Sequence, residues 1–329
     1  MVTNKKRVFV PDAMAPSAVA LLEARDNIDI QRFPNMIAAA AFNELLAKSP
    51  HVNAAILGAT PFSPATVASS KGLQVVARIG VGYDAVDVPA LTAVGVPLMT
   101  TGIANSPSVA EQAVFFMLQL SKRGTELNAL VQDGKWAGRM AVLPSDVLDK
   151  TVLIVGFGRI GTRTAKRCLA MEMHVLVYDP FVKADVIKAA GCEPVTDLDA
   201  ALARADILTL HCPKTAVTNG MINAARLALM KPTAFLVNTA RGGIVDETAL
   251  HAALVQKRIA GAGLDVFAQE PPPTDHPLLK LPNVIVAPHI AGVTRESVER
   301  MGRQAVLNVL SVLDGSPIRE NVINPEVLG

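Results

Sequence analysis

The chain has 329 residues, of which half are hydrophobic and 4% aromatic, and its 31 basic side chains nearly balance its 29 acidic ones. This length predicts about two domains with sizeable cores, and the formal charge of +2 argues against a surface dedicated to nucleic acid or to a membrane. The three cysteines, Cys168, Cys192 and Cys212, are too far apart to indicate a disulfide framework or a zinc site. We therefore expect a small-molecule partner, no bound metal and, because the first residues lack a signal-peptide pattern, a cytoplasmic location.

The first hundred residues alternate short apolar strands with helical segments. Such alternation is typical of a parallel sheet covered by helices. The predicted strands are Val8 to Val10, Ile28 to Arg32, Ala54 to Leu57, Leu73 to Arg78 and Leu98 to Met99, and the predicted helices are Ser17 to Glu23 and Met36 to Ala47. The glycine-containing stretch Ile79 to Asp84 follows a strand, and from the residues alone it is an ordinary connection.

A long apolar helix is predicted after this region, ending near Gly124. Its sequence offers two starting points, which are Ser106 as the N-cap or a capping box formed by Ser108 and Glu111. Residues 125–148, which include the only tryptophan, show no clear periodicity. Such a stretch is typical of an arm that packs on something outside its own domain.

The stretch Thr151 to Gly161 reads TVLIVGFGRIG, an apolar run that breaks into spaced glycines. The unbroken run predicts a parallel strand buried on both faces. Gly156 allows a tight turn, Gly158 lets a pyrophosphate approach the backbone, and Gly161 lets the following helix pack closely on the strand. The amides at the N-terminus of that helix favour phosphate groups. Taken alone, this spacing also fits a merely structural turn.

A second strand, His174 to Tyr178, ends in Asp179, about 20 residues beyond the glycines. A carboxylate at this point can accept a hydrogen bond from the ribose 2′-hydroxyl and repels the 2′-phosphate of NADP, so the two features together predict a dinucleotide site that favours NAD. The alternation then continues with strands at Ile207 to Leu210, Ala234 to Asn238, Gly261 to Phe267 and Val284 to Ala287, and helices at Leu198 to Ala203, Asp246 to Arg258 and Thr294 to Leu313.

Seven segments resemble the NAD-dependent D-isomer-specific 2-hydroxyacid dehydrogenases. They occur in the family's order and are RIGVGYDAVDV (78–88), SPSVAEQ (106–112), VGFGRIG (155–161), HCPKT (211–215), VNTARGGIVDE (237–247), LDVFAQEPP (264–272) and PHIAG (288–292). The resemblance implies an α/β fold of two doubly wound parallel-sheet domains with a cleft between them. A Rossmann nucleotide-binding domain (103–294), with a dimerisation arm at about 125–148, would be inserted in a smaller flavodoxin-like substrate domain (1–102 and 295–329).

The resemblance also assigns a catalytic triad. Arg241 would anchor the carboxylate or carbonyl oxygen of a 2-oxo acid through its planar, permanently charged fork. His289 would give or take the proton near neutral pH, and Glu270 would orient its imidazole and stabilise the protonated form. Without the resemblance, each of these residues could equally be a surface or core group, and we interpret the other histidines as structural or surface residues.

Further residues are assigned by the resemblance to ligand binding. Gly156, Gly158, Arg159, Ile160 and Gly161 would hold the pyrophosphate and Asp179 the ribose, whereas Cys212 and Thr239 would contact the cofactor and Asp265 the nicotinamide carboxamide. In the stretch after Arg78, Val81 and Gly82 would offer backbone N–H groups to the substrate carboxylate. The resemblance thus replaces the interpretation of this stretch as an ordinary connection. Arg78 remains available for a further anionic group.

Two departures from the family pattern leave the substrate open. Many members carry histidine where this chain has Gln112, and phosphoglycerate dehydrogenases commonly carry an arginine near the strand that here continues from Ile56 to Thr60. We expect an NAD-linked enzyme that interconverts a D-2-hydroxy acid and its 2-oxo acid, as a homodimer. The alternatives are a phosphoglycerate dehydrogenase, a formate dehydrogenase, whose pattern usually has glutamine in place of Glu270, and a non-catalytic NADH sensor resembling the C-terminal-binding corepressors.

Overall fold

The computed structural model describes residues 5–35 and 37–329. It divides into two compact units, which we call the first unit (the described residues up to Asn105, with Val293–Gly329) and the second unit (Ser106–Gly292). The chain therefore leaves the first unit, forms the whole of the second and then returns. Within the described residues, no helix combines the length and the apolar character that a membrane crossing requires.

Among the described residues, twelve strands form two sheets in which every pair of neighbours is parallel. In chain order they are β1 Lys6–Pro11, β2 Ile28–Phe33, β3 Ala54–Leu57, β4 Val75–Arg78, β5 Leu98–Met99, β6 Thr151–Val155, β7 His174–Tyr178, β8 Glu193–Pro194, β9 Ile207–Leu210, β10 Phe235–Asn238, β11 Gly261–Leu264 and β12 Val284–Val286. The first unit has the order β2-β1-β3-β4-β5 and the second β12-β11-β10-β9-β6-β7-β8. The predicted fold class, two doubly wound parallel sheets, is confirmed.

Helices connect these strands. They are α1 Pro16–Glu23, α2 Ala39–Lys48, α3 Pro64–Ser69, α4 Val88–Ala93, α5 Ser106–Lys122, α6 Gly124–Gln132, α7 Gly161–Ala170, α8 Ala184–Ala189, α9 Leu198–Arg204, α10 Ala224–Leu229, α11 Glu247–Val255 and α12 Arg295–Leu313. Short 3₁₀ turns occur at Trp136–Ala141, Pro277–Lys280, Arg319–Asn321 and Pro325–Leu328. The sequence did not predict the short helices α3, α4, α8 and α10, because one or two turns carry too little periodicity to be recognised.

The core of the first unit shows why the central part of β1 lacks an alternating pattern. Val8 and Val10 of β1 point to one face, where they join α1 and α12, while Phe9 between them points to the other, where it joins α2. Both faces are buried at these positions, so the run from Val8 to Val10 is apolar throughout. On the first face Gly302 lets α12 lie close to α1, since an added Cβ there would be 3.2 Å from the Cβ of Ala18.

Three details differ from the sequence prediction. The helix α5 begins at Ser106 itself, so Ser106 is not its N-cap, and the alternative capping box at Ser108 falls inside the helix. The stretch 125–148, predicted to lack periodicity, includes most of the helix α6, and no residue of this helix is buried. Met36, the predicted start of the second helix, lies outside the described residues, and α2 begins at Ala39.

Candidate active site

The glycine-rich turn joins β6 to α7 in the way that its spacing predicts. Gly156 has φ of 95°, in the left-handed region that favours glycine. A Cβ added to Gly161, the first residue of α7, would lie only 2.0 Å from the carbonyl oxygen of Gly156, so the helix can start this close to the strand only with glycine. Around Gly158 no atom lies within 4 Å of an added Cβ, which leaves the approach to this backbone open. The turn is a cradle that fits a pyrophosphate.

This turn lies where the strand order of the second unit reverses. The strand β6 pairs with β7 on one side and β9 on the other, and open α/β sheets bind ligands at such a point, outside the carboxyl ends of the strands. On the β9 side of this point, an added Cβ on Gly156 would lie 2.7 Å from the backbone nitrogen of Cys212, which follows β9. Burial raises the pKa of the Cys212 thiol to about 11, so this residue can contact a cofactor but is not a thiolate nucleophile.

Asp179 lies directly beside the glycine turn, because Tyr178 of β7 is paired with Val155 of β6. One carboxylate oxygen accepts a hydrogen bond from the backbone N–H of Phe157 in the turn (2.8 Å), and the other accepts one from Phe181 (2.9 Å). These two bonds fix a negative charge at the edge of the cradle, where the sequence predicts the ribose contact.

The three predicted catalytic residues follow three neighbouring strands. Asn238, the last residue of β10, is paired with Leu264 of β11, which is paired in turn with Val286 of β12. Arg241 comes shortly after the first of these strand ends, and His289 shortly after the last. Because parallel strands end at the same edge of a sheet, all three loops emerge together at the carboxyl edge of the second unit.

The loop that carries Arg241 packs against the loop that carries Glu270. A Cβ added to Gly242 would lie 1.7 Å from the carbonyl oxygen of Phe267 and 2.6 Å from the nitrogen of Ala268, so only glycine permits this approach. The Phe267 N–H, on the same stretch of backbone, donates to Oε1 of Glu270 (3.0 Å). The backbone of Phe267 therefore contacts the loop of Arg241 through its carbonyl group and holds Glu270 through its N–H.

Glu270 and His289 are in direct contact. Oε2 of Glu270 lies 2.6 Å from Nδ1 of His289, and the two side chains are 35% and 49% exposed, so the pair is accessible to a substrate. An apolar depression of the second unit, bounded by Phe267, Pro271 and Leu279, lies beside it. With Nδ1 bound to the carboxylate, the ring is oriented and Nε2 is the nitrogen left to exchange a proton with a ligand.

Asp265 holds the backbone of His289 in place. His289 has φ of 53°, an uncommon left-handed conformation for a residue other than glycine, and such strain of about 1–3 kcal/mol persists only when the surroundings fix it. Its N–H donates to the Asp265 carbonyl oxygen (2.8 Å), and the carboxylate of Asp265 accepts from Ile290 (2.8 Å) and Ala291 (2.9 Å). Burial raises the pKa of Asp265, and these two amide bonds oppose that effect.

Residues 114–291 match the family model of the D-isomer specific 2-hydroxyacid dehydrogenase, NAD binding domain. The chain belongs to the D-isomer specific 2-hydroxyacid dehydrogenases. This confirms the predicted family, and a nicotinamide dinucleotide is the cofactor of its second unit.

Named relatives within this dehydrogenase family have two activities. The chain is 39% identical to a glyoxylate reductase of Thermofilum pendens over 263 residues, which are 79% of this chain and 77% of the relative. It is 37% identical to the D-3-phosphoglycerate dehydrogenase of Archaeoglobus fulgidus over 285 residues, 86% of this chain but 54% of that protein. The chain spans little more than half the length of such phosphoglycerate dehydrogenases. A solved structure from Thermus thermophilus, 32% identical, superposes with a TM-score of 0.87 over 96% of this chain and 99% of its own.

The remaining predicted ligand contacts of this family member also follow strand ends. Thr239 follows β10, and its Oγ1 is buried with no hydrogen-bond partner among the described residues, as expected of a group that bonds to a ligand. In the first unit Arg78 ends β4 and its Nε donates to the Gly82 carbonyl oxygen (3.0 Å), which fixes the Val81–Gly82 stretch. The roles assigned to these residues, and to Arg159, Ile160 and Asp265, stay predictions.

Sequence reasoning missed two residues that lie behind the three predicted catalytic residues. Glu247, the first residue of α11, lies within 3.1 Å of the imidazole of His276, and its other oxygen accepts from the Ala268 N–H (2.6 Å). We interpreted His276 from the sequence as a structural or surface histidine, and Glu247 only as the end of a quoted segment. Glu247 is part of that segment, but its contact with His276 joins residues 29 positions apart and depends on the fold.

Proposed function

We propose that this protein interconverts a D-2-hydroxy acid and its 2-oxo acid with NAD(H). The observation that carries the proposal is the 2.6 Å contact between Glu270 and Nδ1 of His289, at the same sheet edge from which Arg241 emerges. This edge thus combines a carboxylate-oriented imidazole with a permanent cation. A 2-oxo acid requires both, since it brings a carboxylate to bind and an oxygen to protonate.

The chain's own residues divide the chemistry in the following way. Arg241 binds the substrate carboxylate and polarises the neighbouring carbonyl. His289 gives the proton on Nε2 to the carbonyl oxygen as it becomes an alkoxide, and the Glu270 carboxylate stabilises the imidazolium that precedes this transfer. NADH, when held at the glycine cradle by Gly156, Gly158 and Gly161, supplies the hydride. In the oxidation direction His289 is the base.

The substrate that fits best is a small, unphosphorylated 2-oxo acid such as glyoxylate or hydroxypyruvate. The stretch Ile56 to Thr60, where phosphoglycerate dehydrogenases commonly carry an arginine, has no cation in this chain. A phosphate group would therefore have Arg78 as its remaining candidate partner, and Arg78 is already bonded to Gly82. Glyoxylate reductases are among the relatives of comparable length.

A substrate panel tests this function. The loss of NADH absorbance should be measured with glyoxylate, hydroxypyruvate, pyruvate, phenylpyruvate and 3-phosphohydroxypyruvate at equal concentrations. We expect the highest kcat/KM with the first two. Tight NADH binding without turnover of any member would favour the sensor alternative, and a preference for the phosphorylated acid would identify a phosphoglycerate dehydrogenase.

Asp179 should make the enzyme selective for NADH. Its fixed carboxylate accepts a bond from the ribose 2′-hydroxyl and repels a 2′-phosphate, effects worth a few kcal/mol at a half-buried site. We expect kcat/KM for NADH to exceed that for NADPH by about 10²-fold, at about 1.4 kcal/mol per tenfold change. Asp179→Asn should reduce this ratio, whereas Asp185→Asn, which removes an exposed acid from α8, should leave it unchanged. Equal use of the two cofactors by the wild type would contradict the assignment.

We also propose that the protein is a homodimer joined through the arm at 125–148. None of the residues of α6 or of Trp136–Ala141 is buried in the single chain. Trp136, Met140 and Leu143 are 62%, 68% and 61% exposed, and a solvated segment rarely exposes such apolar groups together. A second copy of the chain, related by a two-fold axis, would cover them.

Light scattering tests the dimer. We expect twice the 34.6 kDa mass of the chain at micromolar concentration, and a monomer for Trp136→Asp, because burying a charge at the contact is unfavourable. Val186→Asp introduces the same charge at an exposed valine of α8 and should remain dimeric. A wild-type protein that scatters as a monomer would overturn the proposal.

A further inference from the structure

We infer that Glu247 and His276 form a positioning pair that holds Glu270, and through it His289, in the geometry required for proton transfer. The inference rests on the proposed function of the Glu270–His289 contact. Neither residue touches that contact. Glu247 bonds to the Ala268 N–H and His276 packs on the ring of Phe267, whose N–H holds Glu270.

Glu247 lies at the start of a helix that is packed in the core. It is the first residue of α11, whose start is fixed by the N-cap Asp246 through a bond from the Ala249 N–H (2.9 Å). The helix is anchored in the core by Leu250 and Leu254. A carboxylate mounted on a packed helix holds its partners more tightly than one mounted on a loop.

Both oxygens of Glu247 are used on the loop that follows β11. One accepts from the Ala268 N–H at 2.6 Å, and the other lies 3.1 Å from Nε2 of His276. The Glu247 and His276 side chains are each only 17% exposed. Bonds to a charged group are stronger where water is largely excluded, and here they bring together two points of the same long loop.

The pair reaches Glu270 through one residue. The ring of His276 packs edge-on against that of Phe267, with centroids 5.7 Å apart and planes at 74°. The N–H of Phe267 donates to Glu270, whose second oxygen contacts His289. On the side of Gly242 the Phe267 carbonyl leaves no room for a Cβ. Glu247 and Gly242 therefore confine the same backbone, and removing Glu247 frees it on one side.

Substitution at Glu247 tests the inference. Glu247→Ala should lower kcat by about 10- to 100-fold, because a misplacement of about 1 Å at a reacting group has an effect of this size. The Kd for NADH should not change, since the glycine cradle belongs to other loops. Glu247→Gln keeps an oxygen for the Ala268 N–H and should retain activity within about threefold, which makes it the matched control.

A double-mutant cycle with Glu270→Gln separates positioning from a general loss of structure. If Glu247 acts through Glu270, Glu247→Ala should have little further effect in the Glu270→Gln protein, because residues that act as one unit are not additive. Multiplying effects would overturn the inference, as would an unchanged kcat in the single Glu247→Ala variant.

An NMR measurement on the His289 imidazole in the ligand-free protein supplies a readout that does not require turnover. The nitrogen-15 chemical shift of Nδ1, which reports the hydrogen bond to Glu270, should move in the same direction in Glu247→Ala as in Glu270→Gln, and an unmoved signal would overturn the inference. If the wild type reduces no 2-oxo acid, the proposed function fails while this measurement still decides the positioning role. Should Glu247→Ala not fold, His276→Phe removes the ring nitrogen but keeps the aromatic contact, and a smaller shift of the same sign is expected.

Discussion

His289→Ala is expected to lower the turnover of 2-oxo acid reduction by about 10²–10⁴-fold, the usual contribution of general acid catalysis. The loss falls on kcat because the proton is needed only as the carbonyl oxygen becomes an alkoxide. NADH affinity should remain nearly unchanged, since the glycine turn and Asp179 are formed by β6 and β7 and not by the loop of His289. Stopped-flow turnover and fluorescence titration of NADH measure the two quantities.

The control for this prediction is His174→Ala. His174 is the exposed first residue of β7, so its removal changes the histidine content without touching the carboxyl edge of the sheet. We expect wild-type kcat for this variant. A His289→Ala enzyme that kept a near wild-type kcat would show that another group donates the proton.

Gly161→Ala is expected to abolish measurable NADH binding and to destabilise the second unit. The added methyl group would stand 2.0 Å from the Gly156 carbonyl oxygen, and backbone atoms cannot yield as a flexible side chain does. Separating α7 from β6 should cost about 1–3 kcal/mol of unfolding free energy, as overpacking typically does. It also moves the backbone amides that we expect to bind phosphate, and a hydrogen bond to such a charged acceptor is worth about 1.5–3 kcal/mol.

Gly158→Ala is the matched control, because the same methyl group meets no atom within 4 Å there. Its unfolding free energy should stay within about 0.5 kcal/mol of the wild type. NADH affinity should nevertheless fall, since the methyl group stands where the pyrophosphate approaches the turn. Denaturant unfolding and isothermal titration of both variants test the pair. If Gly161→Ala unfolded like the wild type, the close approach of α7 to β6 would not be required.

Much of the fold follows from features that are local in the sequence. The run from Val152 to Val155 is apolar at every position because β6 is covered on both faces, and all four residues are buried. In the next turn Gly161 is required by its contact with Gly156, a few residues away, whereas Gly156 is also required by the approach of Cys212 from a distant part of the sequence. The predicted bounds of β3 and β9 agree with the structure for the same reason, since a short apolar run between polar ends marks a buried strand.

The candidate site was predictable only in part. The proposed triad was found through motifs, and the strand order then explains why residues after β10, β11 and β12 meet at one edge. The Glu247–His276 contact could not be predicted, because it depends on how a long loop folds back on α11. The helix α6 was missed for another reason, since Leu127, Leu130 and Val131 have helical spacing but extend over little more than one turn, and none of them is buried.

The return of α12 to the first unit sets an order on biosynthesis. Val306, Val309 and Leu313 of α12 pack with Val8 and Val10 of β1, so the core of the first unit contains residues from both ends of the sequence. A ribosome releases β1 long before it releases α12, whereas the second unit is continuous in sequence and is complete earlier. The growing chain therefore carries the apolar face of α1, including Val19 and Leu22, without its cover until translation reaches the last helix.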